Sequence, residues 1–493
     1  MKGRRSLPQS IEEASGLLRD KKVTSTELVE ASLASLARWE PHIHAWLEVL
    51  KDDALGQARE RDREMRSGKE TGPLHGIPVA FKDNILTLEG HTTAASKILA
   101  SFTAPYEATA AARLKAAGAI IIGKTNLDEF AMGSSTEYSA YGPTKNPWDV
   151  TRVAGGSSGG SVAAVASGEV LAALGSDTGG SIRQPASLCN VVGLKPTYGR
   201  VSRFGLIAYG SSLDQIGPIT RTVSDAARML QVLAGLDERD VTSSPRQPAR
   251  YMEACGQDIG GLKIGVPKEF FDEGISAQVL EVVRKAVGTL ERQGAIVKEI
   301  SLPLTSAGIA VYYLIAKAEA STNVARYDAL RYAPMQLGAD TLMERYMEAR
   351  GKGFGPEVKR AILMGTYALS AGYYEAWYKQ ASKVRTLIRQ EYEEAFKEVD
   401  VMAGPVSPEV AWPLGSKVDD PLQMYLADAL TVPMSVAGLP ALSVPCGFSE
   451  GLPVGLQLTA PHFQESRLFQ VGHAYEQSQD WWKRFPLLPD QKE

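Results

Sequence analysis

The segment AGGSSGGSVAAVASGEVLAALGSDTGGSIRQPAS, residues 154–187, is rich in glycine and serine yet carries two organised apolar stretches. A flexible Gly/Ser linker has no such stretches, so this segment belongs inside a fold. SVAAVASGE (161–169) reads as a helix of small residues, and VLAALGS (170–176) as a buried strand. DTGGS (177–181) then turns sharply, and IRQPAS (182–187) is compatible with a second helix. Glycine permits the dihedrals that let the successive amides of Thr178, Gly179, Gly180 and Ser181 point into one concavity. Such a set of donors is a natural oxyanion hole, with the Ser181 hydroxyl beside it.

The flanking sequence alternates helices with short β-branched runs. Residues 10–66 read as helical, with SIEEASGLLRD and TSTELVEASLASLARWE each starting on a capping residue followed by acids. GIPVAFKDNI (76–85) is a short apolar strand ending in Lys82-Asp83, and EATAAARLKAAG (107–118) is a helix leading into the strand AIIIGKT (119–125). A strand-helix-strand pattern returns in LKIGVPK (262–268) and VVRKAVGTLERQGAIVKEI (282–300). TSSPRQPAR (242–250) is a polar surface connection. Residues 307–395 turn helical and aromatic, and ALSVPCGFSEGLPVGLQLTAP (441–461) reads as two strands joined by a Gly/Pro turn. The order predicts an α/β fold with a largely parallel or mixed sheet. Strands on both sides of the helical block favour an insertion over one sheet.

Two motifs mislead. GAIIIGKT (118–125) matches the phosphate-binding pattern G-x-x-x-x-G-K-[ST]. Its supposed loop is Ala-Ile-Ile-Ile, the most strand-like run in the region, and no buried helix follows Lys124, so no nucleotide site is expected. Gly155-Gly-Ser157-Ser-Gly159 matches the hydrolase elbow G-x-S-x-G, which needs an apolar strand before it and a triad histidine downstream. The preceding PTKNPWDVTRVA reads as no strand, and no downstream histidine has a catalytic setting.

The 493 residues are 44% hydrophobic and 22% charged, a globular composition, and the net charge of −4 gives no sign of direct nucleic-acid binding. The N-terminus starts basic but soon carries Glu12 and Glu13, so neither a signal peptide nor a membrane span is expected. Cys189, Cys255 and Cys446 are far apart, and the six histidines show no metal-ligand spacing. A reduced, cytoplasmic setting and no metal follow as expectations. A serine nucleophile needs a base. Lys82, delivered inward by an apolar strand, is the candidate, because desolvation favours its neutral amine.

GGSSGGS (155–161), GSDTGGSIRQPA (175–186) and GIPVAFKDN (76–84), with the 24-residue step from Ser157 to Ser181, resemble the amidase signature family over nearly the whole chain. The resemblance implies a Ser-Ser-Lys triad in which Ser181 attacks, Ser157 relays the proton with its preceding peptide bond cis, and Lys82 is the base. It implies an oxyanion hole from the amides of 178–181, and no cofactor. It also implies one domain over 1–493, its mixed, largely parallel sheet covered by helices on both faces. Within it lie an N-terminal helical segment (1–66), a signature core (70–240), a helical insertion (305–397) and returning strands (400–465).

Residues 125–149, 191–227 and 419–447 are most similar to the family's glutaminase branch, whose members feed ammonia to a tRNA-dependent amidotransferase. That implies glutamine as substrate and two partner subunits, one that binds tRNA and a small third one, with no membrane contact. The branch's glutamine contacts map onto Tyr312 and Asp428. Two positions depart. The arginine that holds the glutamine carboxylate falls on Ala361, with Arg360 one position off, and Tyr138 stands where asparagine is common. If Arg360 does not replace that arginine, the alternative is a stand-alone amidase for neutral or aryl amides.

Overall fold

The computed structural model describes residues 7–69, 71–272, 274–328, 331–332 and 338–491; the basic start of the chain, residues 1–6, lies outside them. Thirteen strands are described: β1 Trp46–Val49, β2 Pro78–Lys82, β3 Ile120–Thr125, β4 Lys145–Asn146, β5 Asp149–Val153, β6 Ala172–Asp177, β7 Val192–Lys195, β8 Gln215–Thr220, β9 Lys263–Pro267, β10 Ile296–Ile300, β11 Val401–Pro405, β12 Ala441–Ser449 and β13 Leu452–Thr459. Eleven form one sheet in the order β1-β3-β2-β6-β8-β7-β12-β13-β11-β9-β10. The α/β, mixed-sheet expectation is met. Parallel pairing is confined to two flanks, β3-β2-β6 and β11-β9-β10. Between them β8, β7, β12 and β13 run antiparallel to their neighbours, a change of direction that apolar runs alone do not reveal.

Strand alternation divides the interior into two cores. Val79 and Phe81 of β2, Ile121 of β3 and Ala172 and Leu174 of β6 face one of them. Ala80, Ile120, Ile122 and Ala173 face the other, against the small-residue helix Gly159–Ala166. The helical block falls between β10 and β11 as four helices, Gly308–Asn323, Leu342–Gly353, Pro356–Leu369 and Tyr378–Ala395.

The predicted caps are present: Ser10 accepts from the Glu13 amide, and Thr24 and Glu27 form a capping box. Two readings need correction. The stretch 10–66 is not helical throughout, because β1 separates Ser25–Ile43 from Lys51–Ser67 and adds an antiparallel edge beside β3. His44, in the left-handed conformation, ends the first of these helices, and β-favouring Trp46-Leu-Glu-Val49 follows. The residues before the G-x-S-x-G match do include a strand, β5, but it lies outside the main sheet, in a small hairpin with β4 that is bridged at Arg152 to Pro413. A hydrolase elbow needs a strand of the main sheet.

GAIIIGKT is strand from Ile120 onward, its lysine included. β3 runs through Thr125, and Lys124 is buried with its ammonium 3.0 Å from Asp83 and donating to Ile85 O and Thr92 Oγ1. Lys124 therefore pairs with the residue next to Lys82. Lys124→Met should strand the Asp83 carboxylate and lower stability by roughly 3–5 kcal/mol in denaturant titrations. Lys124→Met with Asp83→Asn should recover much of that loss, and neither variant should alter nucleotide affinity, since none is expected. ATP binding that depended on Lys124 would overturn this reading.

Candidate active site

Lys82 is the last residue of β2, and the alternation that sends Phe81 to one core sends Lys82 with Ala80 to the other. There its Nζ lies 2.7 Å from Ser157 Oγ, 2.9 Å from Ser158 Oγ and 3.3 Å from Ser176 O. The side chains of Lys82, Ser157 and Ser158 are fully buried. Burial lowers the Lys82 pKa to about 7, against the opposing pull of Asp128, Asp177 and Asp214. Near neutrality the amine is therefore available with two N–H groups and a lone pair. The Ser158 hydroxyl donates to Ser176 O at 3.1 Å, so toward Lys82 it acts as an acceptor. The two N–H groups serve Ser158 and Ser176, and the lone pair is left for the Ser157 hydroxyl. That arrangement can carry a proton from Ser157 to Lys82 and back. The Gly156–Ser157 peptide bond is cis.

The turn after β6 carries Ser181, which is 7% exposed. The Ser158 amide donates to Ser181 O at 3.1 Å, tying the two serine-bearing turns together. Asp177, where β6 ends, accepts from the Ile182 amide at 3.1 Å and from Arg183 Nε and Nη2, both at 3.0 Å. Burial pushes the Asp177 carboxyl up, but the Arg183 guanidinium outweighs it and holds the group below the usual carboxylate range. Thr178 Oγ1 donates to Asp214 at 2.7 Å, and Asp214 also accepts from the amides of Tyr209 and Gly210.

The two glycines of the turn are required by close approach. A Cβ on Gly179 would lie 2.6 Å from the Tyr312 ring and hydroxyl, and one on Gly180 would collide with Thr431 Oγ1. The amides of 178–181 thus sit in a loop clamped by Asp177 and Asp214 and backed by Tyr312 and Thr431.

The predicted substrate contacts occupy one aromatic region. Tyr312 meets Tyr313 edge-on at 4.9 Å, and Tyr313 stacks on Tyr425 at 3.9 Å. Asp428 accepts from Ser134 Oγ at 2.5 Å and from the Tyr313 hydroxyl at 3.4 Å. Burial raises the Asp428 pKa to about 7. Arg360 is a third exposed, pairs with Glu357, and lies within interaction range of the Tyr138 and Tyr425 hydroxyls. Ala361 is fully buried, and its helix Pro356–Leu369 packs closely on Gly308–Asn323. Of the two positions, only Arg360 presents a cation beside the tyrosines.

Sequence reading missed Ser158, Asp214, Tyr313, Tyr425, Lys317 and Glu357. Ser158 adjoins Ser157 within GGSSGG and Tyr313 adjoins Tyr312, both local signals; the others reach the site from segments distant in the chain. Among the described residues no group of three or more His, Cys, Asp or Glu side chains is arranged to hold a metal ion.

A family model described as Amidase matches residues 27–469. The A-subunit of glutamyl-tRNA(Gln) amidotransferase from Chloroflexus aurantiacus is 56% identical over 466 residues, covering 94% of this chain and 96% of that protein. Its counterpart in Geobacillus thermodenitrificans is 53% identical over 479 residues, covering 97% and 99%. The crystal structure of the same amidotransferase's A-subunit from Thermotoga maritima superposes with a TM-score of 0.82 at 42% identity, covering 99% of each chain. With the strand-borne lysine, the paired serine turns and these matches over nearly its whole length, the chain belongs to the amidase signature family.

Proposed function

We propose that this chain hydrolyses the side-chain amide of glutamine and supplies the ammonia to a tRNA-dependent amidotransferase. In that reading Ser181 Oγ attacks the amide carbon while its proton passes through Ser157 to neutral Lys82. The oxyanion forms against the amides of residues 178–181. Collapse of the tetrahedral intermediate breaks the C–N bond, and the proton returns through Ser157 to the leaving nitrogen as ammonia. Water then cleaves the γ-glutamyl ester by the same path. The proposed partners are two further subunits, one tRNA-binding and one small, and the proposed setting is the cytoplasm.

The observation that carries glutamine over other amides is the polarity of the aromatic region. Asp428 lies at the inner end of the Tyr313–Tyr425 stack, suited to the substrate's ammonium, and Arg360 at the outer end, suited to its carboxylate. The amidotransferase relatives support the same choice. One observation favours the second reading, a stand-alone amidase for neutral or aryl amides: Arg360 is already engaged by Glu357.

Ser181→Ala should abolish acyl-enzyme formation, and Lys82→Ala and Ser157→Ala should each cut kcat by about 100- to 10,000-fold with the fold retained. A covalent adduct formed by the Ser181 variant with an activated ester would place the nucleophile elsewhere.

The pH dependence follows from two groups. Below about pH 7 Lys82 holds a proton and cannot accept another, and Asp428 is protonated and cannot pair with an ammonium. For glutamine, kcat/KM should therefore fall on the acid side with a slope steeper than one. For an amide lacking the amino group it should fall with unit slope. Equal slopes for both substrates would remove Asp428 from ammonium recognition.

Arg360→Ala should raise the glutamine KM at least ten-fold with a smaller effect on an aryl amide. If kcat/KM for both substrates is unchanged, Arg360 is not the carboxylate anchor.

A further inference from the structure

Lys317 is a buried charge for which amide hydrolysis itself has no use. It lies on the helix Gly308–Asn323, one turn beyond Tyr312 and Tyr313, and is 2% exposed. Its Nζ sits 5.9 Å from the ring of Tyr209, 5.5 Å from Tyr313 and 5.3 Å from Tyr425, with Glu357 Oε1 at 2.5 Å. Glu357, also 2% exposed, binds Arg360 through its other oxygen, Oε2, and accepts from the Tyr425 hydroxyl at 2.9 Å.

These contacts make one cluster of two cations and one anion. Asp428, the other carboxylate in charge range of Lys317, sits at the inner end of the stack, where the glutamine reading pairs it with the substrate's own ammonium. Taken alone, Glu357 and Arg360 would neutralise each other, and the outer end of the tyrosine stack would hold no charge for a substrate anion. Lys317 occupies Glu357 from inside the helix pair, so the cluster carries one positive charge in excess. Arg360 is its exposed cation, so the excess is accessible there, beside Tyr425 and Tyr138. A buried cluster of unequal charge is completed by an opposite charge from outside.

We propose that Lys317 is a specificity-determining positioning residue: by holding Glu357 as its counter-ion it leaves Arg360 free to bind the α-carboxylate of the substrate. This inference rests on the reading of glutamine as substrate.

The test compares kcat/KM for glutamine with that for 4-aminobutanamide, which keeps the amide and the amine and lacks only the carboxylate. In the unmodified chain the ratio should favour glutamine by at least ten-fold. Lys317→Met should collapse it at least ten-fold, mainly through the glutamine KM, because Glu357 then neutralises Arg360. Lys317→Met combined with Glu357→Gln restores a single net positive charge and should bring the ratio back to within about three-fold of the original. A merely structural role for Lys317 would leave the double variant no better than the single one, and that result would overturn the proposal. So would an unchanged ratio in Lys317→Met. If the single variant does not fold, the double variant decides alone: a ratio as low as that of Arg360→Ala overturns the inference. No preference for glutamine in the unmodified chain would instead overturn the glutamine reading itself, and the proposal with it.

Discussion

The Arg183–Asp177 pair is the contact on which the site depends. Both residues are wholly buried, and every N–H of the guanidinium has an acceptor: two on Asp177, with Thr431 O, Gln457 Oε1 and Ser435 Oγ taking the rest. Asp177 ends β6, Gln457 lies in β13, and Thr431 and Ser435 belong to the segment leading into β12. One side chain therefore joins the turn that carries Ser181 to strands far along the sheet. A buried pair of this kind adds little net stability over an apolar equivalent, but removing either partner leaves a charge with no water to solvate it. Its value here is geometric. It fixes where β6 ends and how the next four amides are aimed.

Burial then divides the labour among lysines. Lys124 and Lys317 are as deeply buried as Lys82, but each has a carboxylate at bonding distance, Asp83 and Glu357 respectively. Among the described residues Lys82 has none in ion-pair range; its neighbours are two hydroxyls and a carbonyl. Burial pulls all three amines below the ordinary lysine range; at Lys124 and Lys317 the paired carboxylate opposes it at bonding distance, whereas Lys82, among neutral oxygens, falls to about 7. Lys195, buried and likewise without a carboxylate in ion-pair range among the described residues, is also pulled to about 7, so what singles out Lys82 as the proposed base is its place beside Ser157.

Much of this was legible in the sequence because its determinants are local. The apolar run of β2, the small residues of 159–166 and the glycines at 179 and 180 place strand, helix and turn without reference to the rest of the chain. The false phosphate loop was equally readable, since three successive isoleucines cannot wrap an anion with their amides. What escaped depends on distant segments. The antiparallel centre of the sheet follows from chain crossings, and β1 is too short to carry a period. The cluster at Lys317, Glu357 and Arg360 exists only because the helices Gly308–Asn323 and Pro356–Leu369 pack face to face. The sequence could name Ala361 as a departure, but not that it is core while its neighbour reaches the tyrosines.

The contacts of Tyr312 with Gly179 and of Thr431 with Gly180 bear on how such an enzyme comes into being. Strand, lysine and both serines have all been synthesised by residue 181, yet the side chains that back the oxyanion turn arrive much later; Arg183 and its acceptor at Thr431 are 248 positions apart. A partly translated chain therefore holds the reactive groups without the walls that aim its amides. The shape of this turn thus belongs to the assembled fold and not to any local segment, since its backing comes from residues 312 and 431.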